Sequence, residues 1–464
     1  MSDELPEGWR SIKLGALFDF KYGKGLPQGR RNARGSIKVY GSNGIVGLHD
    51  SALAKGPAII VGRKGSVGQV HLSPERCWPI DTTYFIDEFP AGLPPDYWAL
   101  YLRSLRLGQR EKSSAIPGIN REDIYAIEVP LPPLREQRRI VAKLEELFGK
   151  VDACRQRLAK IPVLLKRFRQ SVLSAACSGR LTADWREENR SVEPYPVESM
   201  ESDEEFPAGW RATRLVSVTT LVTSGSRGWA KYYSDSGAVF IRAQNINTDF
   251  LNLSDIAFVR PPESAEGLRT RVQEHDILVT ITGANVTKSA LVERPIEEAY
   301  VSQHVALVRL KDIRLSKLIF YSIVSPSHGR RQLLAAAYGQ GKPGLNLNNI
   351  RDVVVGLPPR AEQQEIERRV EVLFSLAEQI EMRYAKARKH VEKLTQSILA
   401  KAFRGELVPT EAELARREGR DYEDAQALLE GLSARTDGVK PARERRTLER
   451  GYRRHRRAFR SRKV

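Results

Sequence analysis

Leu131-Pro132-Pro133-Leu134-Arg135-Glu136-Gln137-Arg138-Arg139-Ile140-Val141 opens a long helical pattern that closes at Ser178-Gly179-Arg180-Leu181. The same layout returns 226 residues later, as Leu357-Pro358-Pro359, Glu362-Gln363 and Gly405-Glu406-Leu407. Between these marks the apolar residues keep one seven-residue register. In the first copy they are Leu144, Leu147, Val151, Cys154, Leu158, Ile161, Leu165, Phe168 and Val172. In the second they are Val370, Leu373, Ala377, Ile380, Tyr384, Ala387, Val391, Leu394 and Ile398. Alternating spacings of three and four over four heptads mark a coiled-coil seam. A helix of ~38 residues is roughly 57 Å long, more than a small domain is wide, so these helices read as spacers. Two ordinary core helices are the plainer reading, but a shared register lets the two seams zip together. Pro162 falls inside the first helix, where proline removes a backbone hydrogen bond. A kink or break is expected near Lys160–Val163 in that helix alone, since Arg388 stands at the matching place in the second.

Outward from the helices, a second motif is also doubled. Pro6-Glu7-Gly8-Trp9-Arg10 returns as Pro207-Ala208-Gly209-Trp210-Arg211, at an offset of 201. Each repeat thus begins with Pro-x-Gly-Trp-Arg and ends with a long helix. A period of about 200 residues means duplicated domains rather than a solenoid. The part between motif and helix alternates short apolar runs with glycine-rich turns in both copies. Lys38–Tyr40, Ala58–Val61, Gly68–Leu72 and Thr82–Ile86 read as strands in the first, and Asp96–Leu107 as a helix. Ala238–Ile241, Asp276–Ile281 and His304–Leu310 read as strands in the second, followed by a helix from Ser316. The expected fold class is α+β: two mixed α/β domains separated by two long helices, with an internal pseudo-two-fold repeat. The expected boundaries are 1–133 for the first domain, 134–180 for its helix, 206–359 for the second domain and 360–408 for the second helix. Residues 181–205 read as an exposed linker, because 183–205 carry nine acids, two arginines and two prolines. Residues 409–464 read as a basic, disordered tail, with Glu411–Leu432 as a short exposed helix inside it.

Charge and composition narrow the classes. The net charge is +18, and residues 440–464 hold twelve Lys/Arg against two Glu, so +10 of it sits in the tail. Such a tail has unspecific affinity for polyanions. Cys77, Cys154 and Cys177 have neither metal nor disulfide spacing, which suits a reducing cytoplasm. No apolar run reaches the ~18 residues of a membrane span. The acidic start Met1-Ser2-Asp3-Glu4 lacks the apolar stretch of a signal peptide. No catalytic constellation is visible. None of the Pro-Pro pairs has the preceding Asn, Asp or Ser that holds a flipped base in amino-methyltransferases. Gly62-Arg63-Lys64-Gly65-Ser66-Val67-Gly68 and Gly341-Lys342-Pro343 lack P-loop spacing, and the first reads as a hairpin turn. The seven histidines show no i,i+4 pair for zinc. Asp81 with His71 reads as structural. No metal, cofactor or catalytic residue is expected.

The two Leu-Pro-Pro…Glu-Gln helices, with Leu164-Leu165-Lys166-Arg167-Phe168-Arg169-Gln170-Ser171-Val172-Leu173, Gln396-Ser397-Ile398-Leu399 and the Gly-Arg-Leu and Gly-Glu-Leu ends, resemble the specificity subunit of type I restriction-modification systems. The resemblance covers roughly residues 5–410. It implies that each domain reads one half of a split double-stranded DNA site. It also implies that the helices pair antiparallel as a coiled coil, hold the halves apart and bind two modification (methyltransferase) subunits. Restriction (translocase/nuclease) subunits would join through that complex. Leu144, Leu147, Val151, Leu158, Val370, Leu373, Ile380 and Leu394 are the helix positions placed at partner contacts. Base edges call for Arg, Lys, Asn and Gln on rigid loops, and phosphates for Lys, Arg, Ser and backbone N–H. The first domain offers Tyr22, Lys24, Asn43, Arg63, Lys64 and Ser66. The second offers Arg227, Lys231, Arg242, Gln244, Asn245, Asn285, Lys288, Gln340 and Lys342. Any one of these is also explained as an exposed turn residue; their clustering favours DNA. The competing classes are a stand-alone DNA-modifying or DNA-cleaving enzyme, which needs the missing motifs, and a scaffold without polar loop clusters.

Overall fold

The structure, a computed structural model, describes residues 4–109, 118–246, 249–262, 268–339 and 343–436. The chain forms two compact units, Met1–Arg157 with Ala387–Val464, and Leu158–Lys386.

The two units repeat one topology. In the first, strand Arg10–Lys13 pairs antiparallel with Glu128–Leu131, the strand that leads into Pro132-Pro133. A four-stranded sheet follows in the order Lys21–Tyr22, Thr83–Ile86, Ala58–Gly62, Val70–Ser73. A second sheet pairs Ile37–Gly41 antiparallel with Gly44–His49 and parallel with Cys77–Pro79. In the second unit Arg211–Arg214 pairs with Val354–Leu357 in the matching register. Its four-stranded sheet runs Thr219–Ser224, Val305–Leu310, Ile277–Thr280, Ser289–Leu291. Its other sheet again mixes antiparallel and parallel pairs, Ala238–Ile241 with Ala257–Val259 and with Ala299–Val301. Strand Tyr233–Ser234 is added at its edge, inside the longer second repeat. The strands bury both faces: Ala58, Ile59, Ile60 and Val61 are all 0% exposed, as are Ile277, Leu278 and Val279. That explains why they read as continuous apolar runs rather than alternating ones.

The long helices run Leu134–Cys177 and Arg360–Phe403, 44 residues each. Each begins directly after its Pro-Pro, where proline's fixed φ suits a first turn, and ends short of the expected 180 and 408. Arg155 meets Thr395, and Arg169, fourteen residues on, meets Glu381, fourteen residues back, so the helices are antiparallel. The expected break at Pro162 does not occur: the helix is continuous through it. Pro162 stands on an exposed position, where water can satisfy the carbonyl left without a donor.

The seam is dry at its ends and only in places between them. In the first unit Ile140, Leu144 and Val151 share a core with Ile398, Ala402 and Phe403, and with Trp9, Phe18, Trp98 and Tyr101 of the domain. In the second, Val172, Leu173, Ala176 and Cys177 share a core with Ile366, Val370 and the domain's Trp210 and Leu357. Between these cores Leu165 and Ala377 are also buried, but other register positions open to solvent. Cys154 is exposed, Ile380 is 36% exposed and Leu394 37%. Heptad position alone does not bury a residue.

Two expectations at the edges of the helices change. Residues 181–205 are not a bare linker. Ala183–Glu188 is helical, Asp184 pairs with Arg369, Arg186 with Glu362 and Glu204 with Arg331, so part of the acidity meets arginines of the second unit. The region after 408 is not wholly a tail either. Glu411–Glu418 and Ala425–Thr436 are helices, and Glu411 and Ala425 are buried on the first unit. The basic run 440–464 lies outside the described residues.

The Glu-Gln pairs now have a reason. Trp9 Nε1 donates to Glu136 Oε1 at 2.9 Å, and Trp210 Nε1 to Glu362 Oε2 at 2.9 Å. Gln137 and Gln363 each donate to a carbonyl of their own Pro-Pro, those of Pro132 and Pro358. The second oxygen of Glu136 accepts the Glu411 backbone N–H at 2.8 Å, whereas Glu362 takes the Thr182 hydroxyl at 2.7 Å and Arg186. The helix-end glycines complete the contact. Gly179 and Gly405 have φ of +71° and +77°, and a Cβ there would lie 2.3 Å from Pro207 Cγ and 2.6 Å from Pro6 Cγ. Each helix end is therefore a left-handed cap pressed against the Pro-x-Gly-Trp motif of the domain it reaches.

Candidate nucleic-acid interface

In the first domain three chain segments converge on Tyr22. Strand Lys21–Tyr22 is an edge strand, in register with Phe85–Tyr84. Residues 62–69 form the expected hairpin turn, closed by Gly62 N–H to Gln69 O and Gly68 N–H to Gly62 O, both 2.8 Å. Ser42 Oγ lies between Lys64 O, at 2.6 Å, and Thr82 O, at 2.7 Å, tying the turn of Asn43 to that of Lys64. Tyr22, Lys24, Asn43, Lys64 and Ser66 are exposed on this framework. Arg63 is half-buried, with its Cζ 5.3 Å from the Tyr22 ring and 5.7 Å from that of Tyr84. Burial, together with neighbouring Tyr22, pushes the Tyr84 phenol up to about 12, so it stays a neutral plate under a guanidinium. Tyr22 and Arg63 are thus brought together, and Asn43 and Lys64 sit on linked turns. Sequence reasoning missed Arg121, whose Cζ is 5.1 Å from the same Tyr22 ring. Nothing in the sequence beside Arg121 distinguishes it.

The second domain gathers a different set. Arg242 donates to Asp255 O and Oδ2, and Gln244 to Asp255 Oδ2 at 2.8 Å. Asn285 donates to Ala243 O and accepts from Lys288 Nζ at 3.0 Å. Arg242, Gln244, Asn285 and Lys288 therefore share one neighbourhood. Asn245 is 3% exposed; it donates to Asn252 O and Asp255 O and accepts from Arg242 N–H. Its amide is used up inside the turn, so it shapes the loop and has no donor left for a base. Arg227 and Lys231 lie on a separate turn, with Lys231 Nζ 4.9 Å from the Tyr232 ring. Gln340 and Lys342 lie outside the described residues. Two further groups join the domain: Arg330 pairs with Asp249, and Thr282 Oγ1 bonds His304 Nδ1. No sequence signal marked them, because each partner lies more than twenty residues away.

On the helices, Ile161, Leu164, Leu165, Phe168, Leu376 and Ile380 line an apolar groove of about 300 Å³ in the second unit. Leu164 is 58% exposed and Leu376 49%. Of the positions assigned to partner contact, Ile380 and Leu394 are accessible, while Leu144, Val151 and Val370 are consumed by the cores. Among the described residues no helix is long and apolar enough to cross a membrane.

Comparison with known proteins gives one family throughout. Residues 6–163 match a family model described as the type I restriction modification DNA specificity domain. The chain is 34% identical to the EcoBI specificity subunit of Escherichia coli over 60% of its own length and 58% of that protein's. It is 28% identical to the Escherichia coli EcoDI specificity subunit over 87% of its length and 90% of that protein's. Among solved structures it resembles the HsdS subunit from Thermoanaerobacter tengcongensis, with a TM-score of 0.52 and 20% identity, covering 87% of this chain and 98% of that one. A chain from a study of complex assembly and conformational transition of the type I R-M system gives 0.61 at 19% identity, covering 87% and 100%. With its doubled motifs, its repeated domain topology and these relatives, the chain is similar to the specificity subunits of type I restriction-modification systems.

Proposed function

We propose that this chain is the DNA sequence-specificity subunit of a type I restriction-modification complex. Each α+β domain reads one half of a bipartite double-stranded target, and the helix pair carries two modification subunits, through which restriction subunits attach. Chemistry belongs to those partners, so the chain itself is noncatalytic, and it works in the cytoplasm. The observation that carries this reading is the repetition of one domain topology with different loop chemistry: arginines stacked on tyrosines in the first copy, and arginine and glutamine held by Asp255 in the second. Equal frames with unequal reading surfaces suit two unlike half-sites. The accessible apolar groove on the helices supports a protein partner there. The test is reconstitution with modification subunits. The complex should transfer methyl groups to DNA, and the chain alone should transfer none. Activity of the isolated chain would instead favour a stand-alone enzyme.

A further inference from the structure

The Tyr22 ring holds two guanidiniums at once. Arg63 Cζ lies 5.3 Å from its centroid and Arg121 Cζ 5.1 Å. Each arginine also meets a second tyrosine, Tyr84 at 5.7 Å and Tyr125 at 5.5 Å. These plates are fixed. Tyr22 and Tyr84 meet edge to face at 5.1 Å, and the Tyr125 hydroxyl donates to Asp19 at 2.8 Å and accepts from Phe20 N–H. The backbone joins the two arginines as well: Ile119 N–H donates to Arg63 O at 3.2 Å, two residues before Arg121.

The charges are the unusual part. In the second domain Arg242, Arg309 and Arg330 each face an aspartate. For Arg63 no carboxylate pairing occurs among the described residues. Arg121 has only Glu122, at 4.0 Å, with a side chain 72% exposed. The Nε–H of both arginines is buried without a hydrogen-bond partner among the described residues. Two like charges on one ring repel, and an arriving anion removes that repulsion. Tyr22, 51% exposed, keeps the place open to a ligand.

We propose that Arg63 and Arg121 clamp one backbone phosphate of the DNA, with Tyr22 as the plate that holds both forks. The inference rests on the DNA-reading function above and deepens it: these arginines position the first domain on the duplex, and the base readers are other residues. A phosphate presents two charged oxygens to two converging forks, whereas a guanine edge takes a single fork from one arginine.

The experiment uses the complete complex with its modification subunits. Its affinity for a duplex carrying the target and for an unrelated duplex is measured over a salt series, for wild type, Arg63→Gln, Arg121→Gln and Arg121→Lys. Each glutamine variant should lose roughly tenfold on both duplexes alike, and the slope of log K against log salt should shrink by about 0.9. The methylated motif should stay the same. Arg121→Lys keeps the charge without the fork; it should keep the slope and lose only part of the affinity. Unchanged affinity in both glutamine variants, at wild-type melting temperature, overturns the clamp. Loss confined to the target, with relaxed discrimination at one base pair, also overturns it and makes the residue a base reader. A wild-type complex that binds neither duplex would overturn the underlying DNA-reading function instead.

Discussion

Glu362 is 0% exposed and receives Trp210, Thr182 and Arg186, drawn from two separate stretches of chain. Glu362→Ala leaves all three donors facing a hole, and breaking a buried ion pair by removing one partner costs roughly 3–5 kcal/mol. Glu362→Gln keeps an acceptor for Trp210 and should cost clearly less. Urea unfolding of the two variants checks the order. The Glu-Gln pair was visible in the sequence but its role was not, because Trp210 lies 152 positions away. Glu136 shows the same limit: burial pushes its carboxyl up, while the Glu411 N–H, Trp9 and Arg139 pull it back only in part. His328 gives a pH dependence. It is 7% exposed, stacks on Phe206 and bonds Ser327, and burial lowers its pKa below the ordinary 6.5, with Arg331 and Arg180 adding to the fall and Glu204 opposing it. A depressed folded pKa gives stability that is present above 6.5 and lost as pH falls toward the folded value. Melting of the second domain should therefore weaken between pH 7.5 and 5.5, and His328→Gln should flatten that slope. An unchanged slope would mean that His328 is not charged on unfolding.

The heptad register placed the helices and their shared seam from sequence, and the strand grammar placed part of the sheets, such as Ala58–Gly62 and Ile277–Thr280, without their pairing. What the register left open was which seam positions are covered, since covering depends on where a domain packs. Val370 is 0% exposed against Trp210 and Leu357, whereas Leu394, on the other seam position of the same register, is 37% exposed. An unpaired carboxylate costs several kcal/mol only where water is excluded. Val370→Asp should therefore lower the melting temperature of the second unit by many degrees, and Leu394→Asp should leave the isolated chain near wild type. The two melting curves decide this; equal effects would mean that the seam is uniformly dry. Leu394→Asp should still weaken assembly with modification subunits, read by size exclusion. The apolar groove at Ile161, Phe168 and Ile380 was likewise not legible, because the same residues would be invisible in a closed coil.

Over the whole molecule the sequence carries one plan twice, and the structure repeats it down to strand order and the Trp–Glu contact. Charge was a weaker guide. Much of the net excess lies in residues 440–464, outside the described residues, while the proposed reading surfaces are distinguished by partners rather than by sign. The central claim is that the two domains read separately. Its most direct measurement is genome-wide methylation sequencing with residues 18–116 exchanged for those of another specificity subunit. Arg121 lies outside this segment and, as a phosphate contact, leaves the motif unaltered. The predicted result is a bipartite methylated motif in which one half changes and the other half is retained. A change in both halves, or in neither, would contradict separate reading.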